Sequence, residues 1–397
     1  MILSEEHRIE NFRRVAVIIG TRPEAVKLAP VIGCLSESSW ATPTIVATGQ
    51  HRDLLHGALE VFGLEPDLDF DVYQPGATLE QLTARLLTAL GPALADFDPA
   101  AVVVQGDTTS TMTGALAGFY AGLPVAHVEA GLRTGDRTQP FPEEINRRLT
   151  SQVASLHLAP TARAEAALAA EGITGPEVLV TGNTVIDALQ EAVGKRPAWP
   201  DLLADLDDDP RRLLLVTAHR RESWGQGLRD VGEALGRLAR ARPDLLVVFP
   251  AHPNPLIREA IAPQVDGCDN VRLLQPLSYG PFARLLNRAD IVLTDSGGIQ
   301  EEAPGLGKPV LVMRAVTERP EAVEAGCARL VGTDPNRIVD EVTRLLDDPA
   351  AYAAMARVAN PFGDGRAARR CVDALGWLLG HNPRPAPFVP EAAPAGR

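Results

Sequence analysis

Three carboxylates follow short apolar segments or prolines in the first half of the chain, where they could transfer protons. Asp107 comes after the apolar run 101–104, Glu129 comes after 125–128, and Glu143 follows prolines that mark a helix start. Because parallel strands end at one edge of a sheet, we expect the acids to line one crevice. Three acids at one rim favour general acid–base chemistry. The structural alternatives are an N-cap for Asp107 and compensation of the helix dipole for Glu143.

Cationic side chains follow two other predicted strands. Arg22 and Lys27 lie in the turn and helix after the run 15–19, and His219 stands beside two arginines after another run. An imidazole next to guanidinium groups at a strand end suits an anionic leaving group. The alternatives are an ordinary solvated turn for the first pair and a structural role for the histidine. The first turn has no GxGxxG fingerprint, which argues against a nicotinamide cofactor.

A Ser-Gly-Gly turn in the second half predicts a phosphate site. The segment 296–298 follows the apolar run 291–294 and opens a helix. Backbone N–H groups at such a helix start approach anions closely. Glu302, one turn later, could reach ribose hydroxyls, and Arg319 would add a cation. Together these residues favour a nucleotide diphosphate.

Composition narrows the class of protein. The chain has 397 residues, 45% of them hydrophobic and 22% charged, with a net charge of -13, so we expect a large core and no affinity for nucleic acid or an acidic membrane. The 4 cysteines are scattered without a CxxC pair, and the histidines have no metal-ligand spacing. We therefore expect no metal. The start of the chain lacks a secretory apolar segment, and no run is long enough to span a bilayer, so we predict a cytoplasmic protein.

Short apolar runs alternate with helical spacing along the chain, which predicts an α/β fold of parallel strands and crossover helices. The pattern lapses between 192 and 210 into prolines and an acidic run that are typical of a linker. We therefore predict two doubly wound, Rossmann-like domains, 13–190 and 210–362, and a disordered tail at 382–397. Ligands of such sheets bind at the carboxyl ends of the strands, so we predict an active-site cleft between the domains.

The chain from about 14 to 379 resembles the non-hydrolysing UDP-N-acetylglucosamine 2-epimerases. The segments that carry the resemblance are Gly-Thr-Arg-Pro-Glu at 20–24, Gly-Asp-Thr-Thr at 106–109, 127–133, Pro-Glu-Glu at 142–144, 182–187, His-Arg-Arg-Glu at 219–222, Asp-Ser-Gly-Gly at 295–298 and 317–320. The resemblance implies a glycosyltransferase-B-like fold in which the C-terminal helix 365–380 completes the first domain, and a homodimer. It also implies interconversion of UDP-GlcNAc and UDP-ManNAc without a metal or cofactor, for bacterial surface-polysaccharide synthesis.

The resemblance also assigns roles by motif. The implied catalytic residues are Asp107, Glu129, Glu143 and His219. The implied UDP-sugar contacts are Arg22, Lys27, Ser296, Gly297, Gly298, Glu302 and Arg319, with Phe282 and the backbone near Leu277 around the uracil. Some bacterial members bind a second UDP-GlcNAc as an activator, for which Gln50, His51 and Arg220 are the candidates here. Which acid serves which face of the sugar stays open.

The implied chemistry explains why such residues are needed. The C2 proton of the sugar is not next to a carbonyl, so direct abstraction would be very slow. Loss of UDP first gives positive charge at C1, which acidifies C2, and a carboxylate can then remove the proton to leave 2-acetamidoglucal. The alternatives are a hydrolysing epimerase that releases UDP and ManNAc, a retaining glycosyltransferase, and a non-catalytic nucleotide-sugar-binding regulator. A regulator is expected to have lost a catalytic residue, and all four are present.

Overall fold

The structure is a computed structural model that describes residues 13–50, 52–218, 225–251 and 254–390. The chain divides into two compact units. Unit 1 combines the chain up to Glu191 with Phe362–Val389, and unit 2 contains Ala192–Pro361. Within the described part of the chain, no helix has both the length and the apolar composition needed to cross a membrane.

Unit 1 is built on a seven-stranded parallel sheet. Its strands are β1 Arg13–Ile19, β2 Ala41–Ala47, β3 Leu68–Asp69, β4 Ala101–Gln105, β5 Val125–Val128, β6 Leu156–Ala159 and β7 Val178–Val180. The helices that follow them are α1 Arg22–Glu37, α2 Arg52–Phe62, α3 Leu79–Phe97, α4 Thr109–Tyr120, α5 Glu143–Val153, α6 Ala162–Ala170 and α7 Thr184–Gly194. The spatial order β3-β2-β1-β4-β5-β6-β7 reverses between β1 and β4, which places right-handed crossovers on both faces of the sheet.

Unit 2 repeats this architecture with six parallel strands in the order β10-β9-β8-β11-β12-β13. The strands are β8 Arg212–Thr217, β9 Leu245–Pro250, β10 Val271–Leu274, β11 Ile291–Thr294, β12 Val310–Val312 and β13 Ala328–Leu330. The helices are α8 Gln226–Ala241, α9 Pro255–Ile261, α10 Tyr279–Arg288, α11 Gly297–Glu302, α12 Pro320–Ala325, α13 Pro335–Asp347 and α14 Pro349–Ala356, and the last helix, α15 Ala367–Leu378, belongs to unit 1. The predicted class, with two Rossmann-like α/β units, is confirmed.

The burial of whole strands explains why the strands could be predicted from apolar runs in the sequence. Every residue of β4 is buried, as expected for a parallel strand that helices cover on both faces. An outer helix such as α13 instead buries one stripe. In α13 the buried residues are Ile338, Val342 and Leu345, which recur at helical spacing, and the side chain of Asp334 caps the helix start by accepting from the N–H of Arg337 at 2.9 Å.

The acidic segment between α7 and β8 is held by arginines of unit 2. Arg272 makes two bonds of 2.7 Å to the carboxylate of Asp205. Arg284 pairs with Asp207, and its guanidinium lies 4.2 Å from the centre of the Trp199 ring. The charge run that is typical of a linker is therefore neutralised by cations that come later in the sequence.

The structure differs from the sequence-based expectation of disorder from residue 382. The N–H of Phe388 donates to the carbonyl of Val180 at 2.7 Å, and Arg384 donates to the carbonyls of Pro176 and Val178 at 2.9 Å. Because β7 is an edge strand, its carbonyls have no neighbouring strand on that side, and the proline-rich tail covers them. Residues 391–397 lie outside the described residues.

Candidate active site

The carboxylate of Glu24 ties together the loops that follow β1 and β4. Glu24 is only 1% exposed. It accepts hydrogen bonds from the N–H groups of Gly20 and Thr21 at 3.0 and 2.6 Å, and from the hydroxyls of Thr108 and Thr111 at 2.7 and 2.8 Å. Burial raises its pKa, while these donors oppose the rise. The segments that supply Lys27 and Asp107 are therefore fixed to one another.

The register of the sheet brings two of the predicted acids together. Gln105 at the end of β4 pairs with Val128 at the end of β5. The residues that follow these strands, among them Asp107 and Glu129, therefore lie at the same edge of the sheet. The negative charge of Glu129 is close enough to affect the pKa of Asp107.

Glu129 is a buried carboxylate held by side chains from three elements. Lys27 on α1 donates to both of its oxygens, at 2.7 and 2.6 Å, and Asn183 before α7 donates at 2.9 Å. The side-chain amide of Gln105 also donates to it. The backbone of Glu129 is left-handed, with φ of 62°, which costs a residue other than glycine about 1–2 kcal/mol. The strain and the donors together fix one position for this carboxylate.

Asp107 pairs with Arg147 on α5, with Nη2 2.5 Å from Oδ2. Its backbone carbonyl also accepts from the side chain of Asn146 at 3.0 Å. Burial raises the pKa of Asp107, the Arg147 guanidinium opposes that rise, and the charge of Glu129 adds to it. A partly exposed carboxyl with a raised pKa suits proton transfer.

The two adjacent glutamates at the start of α5 have different surroundings. Glu144 is completely buried and accepts from the N–H of Thr134 at 3.1 Å and from Arg148 at 2.9 Å, so it anchors the preceding loop. Glu143 is half-buried at the first position of the helix. It precedes Arg147 by four residues, so the two share a helix face that contacts Asp107. Glu143 therefore stays a candidate for chemistry.

Two further predicted residues of unit 1, Arg22 and Gln50, lie on α1 and in the loop after β2. Arg22 is exposed at the start of α1, five residues before Lys27. Gln50 accepts from the hydroxyl of Ser110 at 2.8 Å. A Cβ on Gly20 would lie 2.1 Å from that hydroxyl oxygen, so this junction is closely packed. The other candidates for an activator site, His51 and Arg220, lie outside the described residues, as does His219.

The Ser-Gly-Gly turn of unit 2 forms the start of α11. The N–H of Ser296 donates to the hydroxyl of Thr294 at 2.9 Å, and Gln300 donates back to the carbonyl of Ser296 at 3.0 Å. A Cβ on Gly298 would lie 3.3 Å from a carboxylate oxygen of Glu302. Gly297, Gly298 and Glu302 are therefore brought together at the carboxyl end of β11.

The other predicted nucleotide contacts of unit 2 are Arg319, Leu277 and Phe282. Arg319 donates to the buried carboxylate of Glu301, and its N–H donates to Thr317 at 3.0 Å. Leu277 and Phe282, at the start of α10, are half-buried. Among the described residues, no group of three or more histidine, cysteine and acidic side chains could hold a metal ion.

Three residues of the site were not predicted from the sequence, namely Gln105, Arg147 and Asn183. Gln105 and Asn183 are polar residues at the ends of buried strands, which is the signal that identified the acids. Arg147 lies one helical turn after Glu143, so a search for cations at that spacing would have found it.

Two buried histidines occupy facing positions on β5 and β6. His127 is 0% exposed, and its Nε2 donates to the carbonyl of Gly106 at 2.7 Å. Burial lowers the pKa of both His127 and His157 to about 4. Both rings are therefore neutral at physiological pH.

We expect acid to destabilise the protein through these histidines. Between pH 6.5 and pH 4 they bind more protons in the unfolded chain than in the folded one, so the free energy of unfolding falls as pH falls. Each should contribute a loss of about 1.5 kcal/mol between pH 6.5 and pH 5. Asp187, whose pKa is raised by burial to about 6, has the opposite effect. The free energies of unfolding of His157→Gln and the wild type, measured in urea at pH 6.5 and pH 5, test this expectation.

The variant should lose less stability on acidification than the wild type. His381→Gln, which changes an exposed histidine, should follow the wild type. An equal loss in wild type and His157→Gln would show that the buried imidazole is not responsible.

Known proteins match nearly the whole chain. The family model for UDP-N-acetylglucosamine 2-epimerase matches residues 34–376. A UDP-N-acetylglucosamine 2-epimerase of Yersinia pestis is 48% identical over 368 residues, which cover 91% of this chain and 98% of that protein. A crystal structure from Listeria monocytogenes is similar with a TM-score of 0.90 and 41% identity, and covers 95% of this chain and 100% of the other. A UDP-GlcNAc 2-epimerase of Neisseria meningitidis, solved bound to UDP-GlcNAc, has a TM-score of 0.79 and 42% identity over 91% of this chain and 99% of the other. This chain therefore belongs to the UDP-N-acetylglucosamine 2-epimerase family.

Proposed function

We propose that this chain interconverts UDP-GlcNAc and UDP-ManNAc by inverting C2 of the sugar, without hydrolysis. The observation that carries the proposal is the cluster of carboxylates at the ends of β4 and β5. There a partly exposed Asp107, with a raised pKa, lies beside a buried Glu129 paired with Lys27. The names of the relatives support the same reaction.

The first step of the proposed reaction is loss of UDP. The backbone N–H groups of Gly297 and Gly298 and the hydroxyl of Ser296 would bind the departing phosphate, and Glu302 the ribose. Arg22, Arg319, Leu277 and Phe282 complete the proposed UDP contacts. His219 keeps the role that its sequence motif suggests, which is to help UDP leave.

The second step moves a proton at C2. Inversion requires one group to remove the proton from one face and another group to return a proton to the opposite face. We assign these roles to Asp107 and Glu143. The oxygens of Glu129 already accept from Lys27, Gln105 and Asn183, so its charge is better suited to stabilising the positive charge that develops at C1. Return of UDP to C1 then completes the epimer.

The proposal also covers the localisation of the protein, its oligomeric state and the use of its product. We propose a cytoplasmic protein, as the lack of a secretory apolar segment indicates, and a homodimer whose product is used for surface polysaccharides, as the family resemblance implies. The exposed aromatic side chains Phe119 and Tyr120, at the end of α4, offer an apolar surface for such a contact. An activator site that includes Gln50 remains part of the same proposal.

Product analysis tests the function. Purified protein incubated with UDP-GlcNAc alone should form UDP-ManNAc, and UDP-ManNAc should form UDP-GlcNAc. Accumulation of UDP and free ManNAc in equal amounts would favour the hydrolysing alternative. If neither sugar nucleotide changes while UDP-GlcNAc still binds, the regulator is the better account.

A further inference from the structure

Asn183 links the carboxylate cluster to helix α7. Its side chain is buried and uses both ends of the amide. Nδ2 donates to Oε1 of Glu129 at 2.9 Å, and Oδ1 accepts from the N–H of Val185 at 3.1 Å. The second bond is that of an N-cap, because Asn183 directly precedes the helix. One side chain therefore both starts a helix and contacts a candidate catalytic carboxylate.

The C-terminal part of unit 1 fixes the backbone of this loop. The N–H of Asn183 donates to the carbonyl of Phe362 at 2.6 Å. The preceding Gly182 has φ of +83°, and a Cβ there would lie 3.3 Å from the backbone of Gly363. One helical turn later, Asp187 accepts from the N–H groups at the start of α15, at 3.2 and 2.9 Å. The loop between β7 and α7 is thus held by the segment 362–368.

Glu129 needs such support because Lys27 alone does not define its orientation. A lysine ammonium is a rotatable point charge that can follow a carboxylate into several positions. Gln105 and Asn183 bond different oxygens of Glu129, from the ends of β4 and β7. Together they leave one orientation in which every bond is made.

We propose that Asn183 is a positioning residue for Glu129, which it holds in the orientation required to stabilise charge during the reaction. This inference rests on the proposed function. It adds that the C-terminal segment 362–389 acts on the active site through the β7–α7 loop. The role is separable from helix capping. Serine and ionised aspartate also cap helices, but serine is too short to reach Glu129 and a carboxylate has no proton to donate.

Two substitutions of Asn183 separate its role in capping α7 from its role in positioning Glu129. Asn183→Ser keeps a capping oxygen but is too short to reach Glu129, and we expect kcat to fall about 10-fold with KM changed less than about threefold. Asn183→Asp keeps the cap and places a carboxylate against Glu129. At high pH the two carboxylates repel, so kcat should fall about 100-fold. At lower pH they can share a proton, which restores a donor to Glu129.

The diagnostic quantity is therefore the ratio of kcat for Asn183→Asp to kcat for Asn183→Ser. Lowering the pH from 8 to 6 should raise this ratio about 10-fold. The charged groups around the position are Glu129, Lys27, Asp107 and Asp187, together with the buried His127. Titration that is common to both variants cancels in the ratio, so the change that remains reports the proton shared between Glu129 and the introduced carboxylate. Thr78→Ala, which removes the N-cap of α3, should lower the melting temperature without lowering kcat.

Failure of the positioning role and failure of the proposed function give different results. A ratio that does not change with pH, or a kcat within twofold of wild type in both variants, overturns the positioning role while the proposed function stands. If the wild-type protein itself fails to convert UDP-GlcNAc, the proposed function fails instead. Crystal structures of wild type and Asn183→Ser then decide the inference: a reoriented Glu129 supports it, and an unchanged Glu129 overturns it.

Discussion

Replacing Asp107 by asparagine should lower kcat for epimerisation by about 10³-fold and change KM by less than about threefold. Asparagine keeps the shape of the side chain but cannot take up or release a proton. The structure singles out Asp107 because burial raises its pKa while Arg147 holds it in place. Initial rates in both directions measure the effect. The control is Asp98→Asn, an exposed residue with φ of 47°, a conformation that asparagine also tolerates.

The same variant tests the assignment of faces. If Asp107 serves one face of the sugar and Glu143 the other, Asp107→Asn should still eliminate UDP from one epimer. It should then release 2-acetamidoglucal, because the proton cannot be returned to the other face. Glu143→Gln should do the same from the opposite epimer. Elimination from the same epimer by both variants would contradict the division of roles, as would more than a tenth of wild-type activity in Asp107→Asn.

Replacing Arg147 by glutamine should have the second large effect. Arg147 is the cation beside Asp107 at 2.5 Å and beside the buried Glu144 at 3.3 Å. Removing one partner of a buried ion pair leaves charge uncompensated, so we expect a loss of about 3 kcal/mol in the free energy of unfolding. Urea unfolding at pH 7 measures this loss. Arg137→Gln, which changes an exposed arginine in the loop before α5, is the matched control.

The Arg147 variant should also change the pH dependence of activity. Arg147 opposes the rise in the pKa of Asp107 that burial causes, so its loss should raise that pKa further. The ionised form that accepts a proton is then lost at a higher pH. The acidic limb of the kcat/KM profile should therefore move to higher pH in Arg147→Gln and stay in place in Arg137→Gln. A profile that does not move would show that Asp107 is not the group that limits activity in acid.

Much of the fold could be predicted because strands such as β4 are buried along their whole length and stand out as apolar runs. The position of Asp107 and Glu129 at one edge follows from the same pattern, since parallel strands end together. The sequence could not specify their partners. Asn183 lies 54 residues beyond Glu129, and Arg147 lies 40 beyond Asp107, so only the folded sheet brings them together.

Composition was a poor guide where a later segment supplies the partner. The tail from residue 382 is rich in proline, yet Phe388 is buried and bonds to β7. The acidic run before β8 is typical of a solvated linker, yet Arg272 and Arg284 pair with it. Local patterns indicate which segments are apolar, but they contain no information about a distant edge strand or a distant cation.

Inversion by this protein should exchange the C2 hydrogen of the sugar with solvent, because one group removes a proton from one face and another returns a proton to the opposite face. Proton NMR of UDP-GlcNAc with the purified protein in deuterated water, without added metal or cofactor, tests it most directly. We expect UDP-ManNAc to appear with deuterium at C2, and the remaining UDP-GlcNAc to acquire deuterium there as well. UDP-ManNAc that retains the original proton at C2 would contradict a mechanism with separate proton-transfer groups on the two faces of the sugar.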